Sequence, residues 1–419
     1  METASLLFRL FRFALRGYYQ NAFEYFISLA PSVALLTDKS SSETGDSEPP
    51  VPLGLSPSNI TVEWLTHLLQ KKELLSKDNR IRSFELSTFG EVGQMSELYR
   101  MTLSTAKEST LTPSSLIVKC NDRSIKGRVV GSLTLVHETE HGFFRDFSEE
   151  AQSVIPHPKV YFQAYDAATD NGLLIMEEIR NVRHQKLGVT MSVSQTKSHL
   201  SQIAALHAQY WQDPKLMSFD WLVNNSARRE QTWGTMMKLM WKSKGKPRLV
   251  SIMSPKNIDT IEMFVQNSDK WCKKIDSCTY TLLHGDMNPY NLLIPKEDSD
   301  NQNIVTVDWQ TVIRGNWSQD VAYFFASNLN PSTRKAHDDE LLEHYRCELV
   351  KRGIDLSPEQ LASDIVLGNI YVLVFFVMSF SVLEPSDPTQ LEIMNYFTEC
   401  VTYILDKDDS VRHMLESLL

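Results

Sequence analysis

The chain has few cysteines, no excess of positive charge and no long uninterrupted apolar run. Its five cysteines are an odd number without metal-ligand spacing, which argues against a disulfide framework and favours a reducing, intracellular compartment. Its 42 Lys and Arg residues are outnumbered by 52 Asp and Glu residues, so it lacks the basic surface of a nucleic-acid-binding protein. With 419 residues, 42% of them hydrophobic, it has the composition of a globular protein with two or three domains or two large lobes.

The most apolar segment, residues 365–383, contains small and polar interruptions. A membrane-spanning helix requires about 20 predominantly apolar residues. The interruptions at Gly368, Asn369, Ser379 and Ser381 favour a buried helix at the centre of a helical lobe.

The first 54 residues differ in composition from the rest of the chain. Residues 1–36 contain three arginines at helical spacing among large apolar side chains, which predicts a basic amphipathic helix. We expect peripheral membrane contact through residues 5–19. The alternatives are a mitochondrial presequence and a helix docked on the rest of the chain. Residues 37–54, rich in Ser, Pro and acidic residues, are predicted to form a flexible linker. The expected location is cytoplasmic, with a mitochondrial or membrane-associated location as the alternative.

Residues 284–310 carry the strongest chemical pattern. They contain H-G-D, an asparagine five positions after the aspartate, and then D-W-Q. This is the order of the H-R-D-x-x-x-x-N and D-F-G motifs of enzymes that transfer a phosphoryl group. In this frame Asp286 orients a substrate hydroxyl and accepts its proton, while Asn291 and Asp308 hold Mg²⁺ against the phosphates.

The residues between these motifs predict how the polar groups meet. The run 292–295 is short and apolar, and the run 304–309 is β-branched and alternating, as in two strands of a hairpin. Such a hairpin brings Asn291 and Asp308 together at its open end. The pattern therefore predicts one site and not scattered surface acids.

These motifs resemble those of the CHK-kinase-like and ecdysteroid-kinase-like families, within the aminoglycoside and choline kinase (APH-type phosphotransferase) superfamily. In those families H-G-D replaces H-R-D, and D-F-Q or D-W-Q replaces D-F-G. Residues 314–324, RGNWSQDVAYF, resemble the families' next motif, a glycine, a spacer and D-L-A-Y-F. The resemblance implies that Asp320 supports the catalytic loop.

The resemblance also implies an α+β, protein-kinase-like fold of two lobes. Sequence rich in strand patterns before residue 180 and in helix patterns after it agrees with this. We expect an antiparallel-sheet N-lobe over 55–178 and a mainly helical C-lobe with the catalytic loop over 179–419. A helix capped by Ser58 is predicted to begin the N-lobe. ATP is expected between the lobes.

Three N-lobe residues are expected near the ATP phosphates. Two predicted strands flank a turn that contains Gly90 and Gly93, where backbone amides approach phosphates closely. Ser96, just after this turn, is included in the predicted phosphate site.

Four further positions follow from the kinase order of elements. The third predicted strand, SLIVKC, carries Lys119, which the resemblance places on the α- and β-phosphates and pairs with a helical glutamate. The families' pattern of an acid followed by an aromatic pair selects Glu140, with Glu138 as the alternative. Two more strands end in LLIMEEI, which resembles the families' hinge, so the main chains of Glu177 and Ile179 are predicted beside adenine.

The resulting hypothesis is an ATP- and Mg²⁺-dependent kinase that phosphorylates a hydroxyl group of a small molecule, including a steroid or another lipophilic alcohol. One alternative is a choline- or aminoglycoside-type kinase with a cationic substrate. Another is a nucleotide-binding pseudokinase scaffold, although Asp286, Asn291 and Asp308 are all present. A protein substrate is disfavoured because no A-P-E segment follows Asp308. His207, on a helix resembling the families' L-A-x-L-H-A helix, is interpreted as a core histidine.

Overall fold

The computed structural model describes residues 51–89, 96–122, 131, 134–185, 189–296 and 303–419. The predicted helix at 1–36, residues 37–50 of the predicted linker, Gly90 and Gly93 lie outside the described residues. What the sequence predicts for them stays a prediction.

The described chain forms two compact units. The first consists of the described residues up to Phe144 together with Pro158–Glu178, and the second of Arg145–His157 with Ile179–Leu419. The sequence assigned all of 55–178 to the N-lobe, whereas the structure joins Arg145–His157 to the second unit.

The reason lies in the aromatic content of that segment. Phe147 is buried, and its ring packs edge-on against Tyr210, with centroids 5.4 Å apart, and against Phe219 and Trp221. The Trp221 indole also donates a 2.7 Å hydrogen bond to Asp146. Burial of these rings stabilises the attachment of the segment to the second unit.

An antiparallel sheet forms the core of the first unit. In the described residues it has five strands in the order β1-β2-β3-β5-β4. The strands are β1 (Ile81–Thr88), β2 (Ser96–Thr105), β3 (Ser115–Asn121), β4 (Val160–Asp166) and β5 (Asn171–Glu177). Strand β3 is buried throughout because it pairs with β2 on one side and β5 on the other. The strands predicted for this part of the sequence are confirmed.

Helix α1 (Val62–Lys71) covers this sheet. Its Trp64 ring meets Phe162 of β4 edge-on at 4.9 Å, and the neighbouring Leu65 and Leu68 join the same core. The predicted cap at Ser58 is wrong. The helix begins after Thr61, whose hydroxyl accepts a hydrogen bond from the Trp64 amide, a standard N-cap contact.

The predicted flexible linker at 37–54 is too long at its C-terminal end. Pro52 is buried, and Leu53–Leu55 form a 3₁₀ turn. Leu55 belongs to the core of the first unit, because its side chain is apolar and packs beside the sheet. Residues 52–54, which composition alone assigns to a linker, are therefore part of the folded first unit.

The second unit is mainly helical. Helix α2 (Val136–Asp146) precedes it in the chain, and its own helices are α3 (Ser148–Ala151), α4 (Val193–Gln209), α5 (Asn225–Arg228), α6 (Gly234–Met240), α7 (Lys246–Leu249), α8 (Pro255–Asp276), α9 (Ser318–Asn328), α10 (Pro331–Lys351), α11 (Pro358–Val382), α12 (Pro388–Lys407) and α13 (Ser410–Ser417). Its short strands are β6 (Val182–His184), β7 (Thr281–Leu283), β8 (Leu292–Pro295), β9 (Val305–Thr306) and β10 (Ile313–Gly315). Antiparallel pairing joins β6-β8-β9 and, separately, β10-β7.

Helix α11 is the one helix in the described residues that is long and apolar enough to cross a membrane. Length and composition alone are weak evidence, because a core helix meets the same criteria, and 61% of its most apolar window is buried inside the protein. It packs on α9 so closely that a Cβ atom at Gly368 would overlap the Ser318 carbonyl. These contacts agree with the predicted buried central helix.

An antiparallel sheet followed by a mainly helical unit is the α+β fold class that the sequence predicts. The exact lobe limits stay a prediction, apart from the corrections at residues 52–54 and 145–157.

Candidate active site

The predicted hairpin is present and carries the catalytic motifs. Strands β8 and β9 pair antiparallel, and Asn291 lies in the 3₁₀ turn immediately before β8. The Val307 amide donates a 2.9 Å hydrogen bond to the Asn291 carbonyl. This bond fixes Asn291 beside the chain that leads into Asp308.

Asp320, at the start of α9, holds the loop that precedes Asp286. Its two carboxylate oxygens accept 2.8 Å hydrogen bonds from the backbone amides of His284 and Gly285. It is fully buried, and His207 Nε2 lies 3.3 Å away. The other ring nitrogen of His207 meets the Tyr345 hydroxyl at 2.7 Å. The supporting role of Asp320 and the core role of His207 are both confirmed.

Gly285 has a backbone conformation that other residues rarely adopt. Its φ is +83°, and an added Cβ atom would overlap the carbonyl oxygen of Thr311. The Thr311 hydroxyl also donates a 2.9 Å hydrogen bond to the His284 carbonyl. Glycine is therefore required where protein kinases have the arginine of H-R-D.

Gly285→Ala is expected to destabilise the protein by roughly 2–5 kcal/mol, since it adds a clash to an unfavourable φ. Gly353→Ala is the matched control, because Gly353 has the same φ of +83° but no atom within 4 Å of the added Cβ. The control should cost only about 1–2 kcal/mol. Thermal unfolding of both variants measures the difference, and equal midpoints would contradict the close approach of Thr311.

The Asp286 carboxylate is held by three side chains. Asn288 donates to Oδ1 at 2.8 Å and Asn291 donates to Oδ2 at 3.2 Å. The Tyr323 hydroxyl acts on the same carboxylate as a hydrogen-bond donor. Burial, the largest cause, and the negative charge of Asp308 raise the pKa of Asp286, and these hydrogen bonds lower it, for a value of about 6. A carboxylate with a pKa near neutrality suits a general base.

Asn291 and Asp308 offer oxygen ligands suited to Mg²⁺. The Asn291 amide nitrogen donates to the backbone carbonyl and the carboxylate of Asp286, so its side-chain oxygen is directed away from Asp286. Asp308 has a positive φ of +67°, and Gln310 donates a 2.9 Å hydrogen bond to its Oδ2. Such strained residues are concentrated at functional sites. A carboxylate and an amide oxygen are hard ligands of the kind Mg²⁺ prefers.

His284 links the two motifs. Its Nε2 lies 3.1 Å from the Val307 carbonyl, and its Nδ1 accepts a hydrogen bond from the Asp286 amide. Burial lowers the pKa of His284, so the ring is neutral, with one nitrogen donating and the other accepting. The buried Trp309 ring packs edge-on against His284 at 4.8 Å. The motifs therefore fold as one unit.

In the first unit, Lys119 of β3 pairs with Glu140 of α2. Lys119 Nζ lies 2.7 Å from Glu140 Oε1, and both side chains are at least nine-tenths buried. This contact selects Glu140 and not Glu138 as the partner of Lys119. Residues two positions apart on a helix point in different directions, so the two glutamates cannot both face Lys119. Burying an ion pair of this kind costs free energy unless its geometry is excellent and its remaining polar atoms are hydrogen-bonded. Its contact with nucleotide stays a prediction.

The other predicted nucleotide residues have simpler surroundings. Ser96 is buried at the first position of β2, opposite Asn121 of β3. The Glu177 amide donates to the Lys159 carbonyl at 2.9 Å, so a contact of its main chain with adenine would use the carbonyl. Ile179 follows β5 and is partly exposed. Their roles in binding stay predictions.

Sequence reasoning missed several residues around Asp286. Asn288 and Gln310 lie inside the motifs, and their polar side chains were an available signal. Tyr323 belongs to the D-V-A-Y-F motif, but its position in the motif does not indicate that its hydroxyl acts on Asp286. Tyr371 donates a 3.1 Å hydrogen bond to the Gly285 carbonyl from distant α11, and nothing in the local sequence indicates this.

A family model described as the ecdysteroid kinase-like family matches residues 93–357, more than half of the chain. The protein belongs to the ecdysteroid kinase-like family. The predicted family and the predicted enzyme class, a phosphotransferase with an alcohol group as acceptor, are thereby confirmed. The antiparallel sheet of the first unit and the mainly helical second unit agree with the protein-kinase-like fold that the sequence predicts.

No curated protein matches the chain. Among solved structures, a microcompartment-associated aminopropanol kinase has a TM-score of 0.49 at 12% identity, over 78% of this chain and 94% of its own. A putative aminoglycoside phosphotransferase from Ralstonia eutropha has a TM-score of 0.49 at 13% identity, over 83% and 98%. A choline/ethanolamine kinase family protein from Mesorhizobium loti has a TM-score of 0.43 at 13% identity, over 80% and 92%. The family match, not these distant likenesses, identifies the chain.

Proposed function

We propose that this family member is an ATP- and Mg²⁺-dependent small-molecule kinase that transfers the γ-phosphoryl group to a hydroxyl of a lipophilic alcohol. The observation that carries the proposal is the Asp286 carboxylate, held by the amide of Asn291, which in turn is tied to the strand before Asp308. A proton acceptor and two metal ligands, linked through these hydrogen bonds, are the parts that phosphoryl transfer needs.

Each residue has a separate task in this reaction. Asp286 orients the acceptor hydroxyl and accepts its proton while the hydroxyl oxygen bonds to the γ-phosphorus and ADP leaves. Asn291 and Asp308 would hold Mg²⁺, which supplies positive charge against the phosphates. Lys119, fixed by Glu140, would contact the α- and β-phosphates. Positioning and electrostatic stabilisation are the main contributions to catalysis in such a site.

A partly exposed aromatic ring that stacks on Tyr323 supports a lipophilic acceptor. Phe375 of α11 is partly exposed, and its ring stacks on that of Tyr323 with centroids 4.1 Å apart. The Tyr323 hydroxyl acts as a hydrogen-bond donor to the Asp286 carboxylate. An apolar carbon skeleton can pack against such a ring while its hydroxyl faces Asp286.

The same ring also supports the second candidate, a cationic acceptor of the choline or aminoglycoside type. Aromatic faces attract quaternary and primary ammonium groups. The pseudokinase alternative has less support, because Asp286, Asn291 and Asp308 are all present and interlinked.

A comparison of acceptor classes tests the proposal. The purified protein with ATP and Mg²⁺ is offered hydroxylated steroids and other lipophilic alcohols in one arm, and choline and aminoglycosides in the other. ADP formation that depends on acceptor is expected in the first arm. Turnover confined to the second arm would replace the lipophilic acceptor with the cationic one. If neither arm gave acceptor-dependent ADP, the proposed acceptor classes would be wrong.

A further inference from the structure

The peptide group between Gly285 and Asp286 is held from both sides. Its carbonyl accepts a 3.1 Å hydrogen bond from the Tyr371 hydroxyl, and its N–H donates to His284 Nδ1 at 3.2 Å. The preceding peptide is held separately, because the Gly285 N–H donates to Asp320. The orientation of this peptide plane sets the direction in which the Asp286 side chain leaves the backbone.

The Tyr371 ring is itself fixed by its neighbours. It stacks on Trp271 of α8 with centroids 6.2 Å apart and meets Phe375 edge-on at 5.3 Å. It is buried, and burial raises the pKa of its hydroxyl, so the group stays protonated and able to donate. The hydroxyl position is therefore determined by packing in the helical unit and not by the catalytic loop.

We propose that Tyr371 is a positioning residue for Asp286, acting through its hydrogen bond to the Gly285 carbonyl. It does not touch substrate in this role. The hydrogen bond keeps the loop in the conformation that presents the carboxylate to the acceptor hydroxyl. The inference rests on the proposed role of Asp286. It implies that the packing of α11, which carries Tyr371, affects the rate of turnover.

Tyr371→Phe isolates the hydroxyl, because phenylalanine keeps the ring contacts. The kcat for acceptor phosphorylation is expected to fall about 10- to 100-fold, since small errors in the alignment of reacting groups have effects of this size. The KM for ATP should stay within about threefold, because the hydrogen bond does not support Lys119 or Glu140. The split between kcat and KM is the readout that a structural role alone would not produce.

Tyr403→Phe is the matched control. The Tyr403 hydroxyl donates to Asp338 at 3.1 Å, the same distance, in the packing of α12 against α10. This control should retain the wild-type kcat. Unchanged kcat in Tyr371→Phe would overturn the inference, and so would a parallel loss of kcat, ATP affinity and thermal stability.

Asp286→Asn, assayed beside these variants, distinguishes a failure of the inference about Tyr371 from a failure of the proposed function. If Asp286→Asn loses turnover and Tyr371→Phe does not, the inference fails while the proposed function stands. If Asp286→Asn keeps full turnover, the proposed role of Asp286 fails first, and the inference about Tyr371 fails with it.

Discussion

Asp286→Asn is expected to reduce kcat by about 10³-fold or more while leaving ATP affinity within several-fold of wild type. The substitution removes the proton acceptor, and general base catalysis alone contributes about 10²–10⁴-fold. It also removes the negative charge that orients the acceptor hydroxyl. Asparagine keeps nearly the same shape, so the contact with Asn288 and the fold of the loop should persist. Steady-state turnover and calorimetric ATP binding measure the two effects separately.

The matched control for this substitution is Asp339→Asn. Asp339 has a fully exposed side chain on α10, outside the site. It should behave as wild type in both measurements. Turnover of Asp286→Asn near the wild-type rate would show that another group accepts the proton. Loss of ATP binding in the same variant would instead indicate that Asp286 contributes to the nucleotide site.

Asp308→Ala is expected to abolish the effect of Mg²⁺ on ATP binding. The substitution removes the only carboxylate that we assign to the metal among the described residues, and a hard cation binds oxygen ligands of this kind. ATP affinity of the variant should be the same with and without Mg²⁺, whereas wild type should bind more tightly with the ion. Titration calorimetry in magnesium buffer and in chelator measures this directly.

Backbone strain requires a second variant at this position. Asp308 has a φ of +67°, which alanine tolerates less well than aspartate or asparagine. Asp308→Asn removes the charge while tolerating this conformation, so a loss shared by both variants comes from the metal ligand. If Mg²⁺ still strengthened ATP binding in both variants, the metal site would lie elsewhere.

The motifs and the strands could be predicted from the sequence because their signals are local. The β8–β9 hairpin is predicted by two short apolar runs around a polar loop. The catalytic motif is recognised because its asparagine follows the aspartate of H-G-D at a fixed distance of five positions. The N-cap was misplaced for a similar local reason: Ser58 and Thr61 are both good capping residues, and only the 3₁₀ turn at Pro57–Asn59 decides between them.

The contacts that shape the candidate site depend on distant parts of the chain. Tyr371 reaches the Gly285 carbonyl from α11, and its sequence gives only the signal of a buried apolar helix. Glu140 and Glu138 lie in the same short segment, and only the direction of α2 relative to β3 selects Glu140. Its position in the sequence assigns Phe147 to the N-lobe, and only its ring contacts with Tyr210 and Phe219 show that it belongs to the second unit. Tertiary packing decides such cases, and a single sequence does not record it.

The fate of the γ-phosphoryl group tests the central claim most directly. Wild-type protein is incubated with Mg²⁺, an active acceptor and ATP labelled in the γ-phosphate, and the label is located after separation. The account predicts label in a phosphate monoester of the acceptor, equimolar with ADP, and none when Mg²⁺ is chelated or Asp286 is replaced by asparagine. Label that entered only inorganic phosphate or the protein itself, or transfer that persisted in the Asp286→Asn variant, would contradict it.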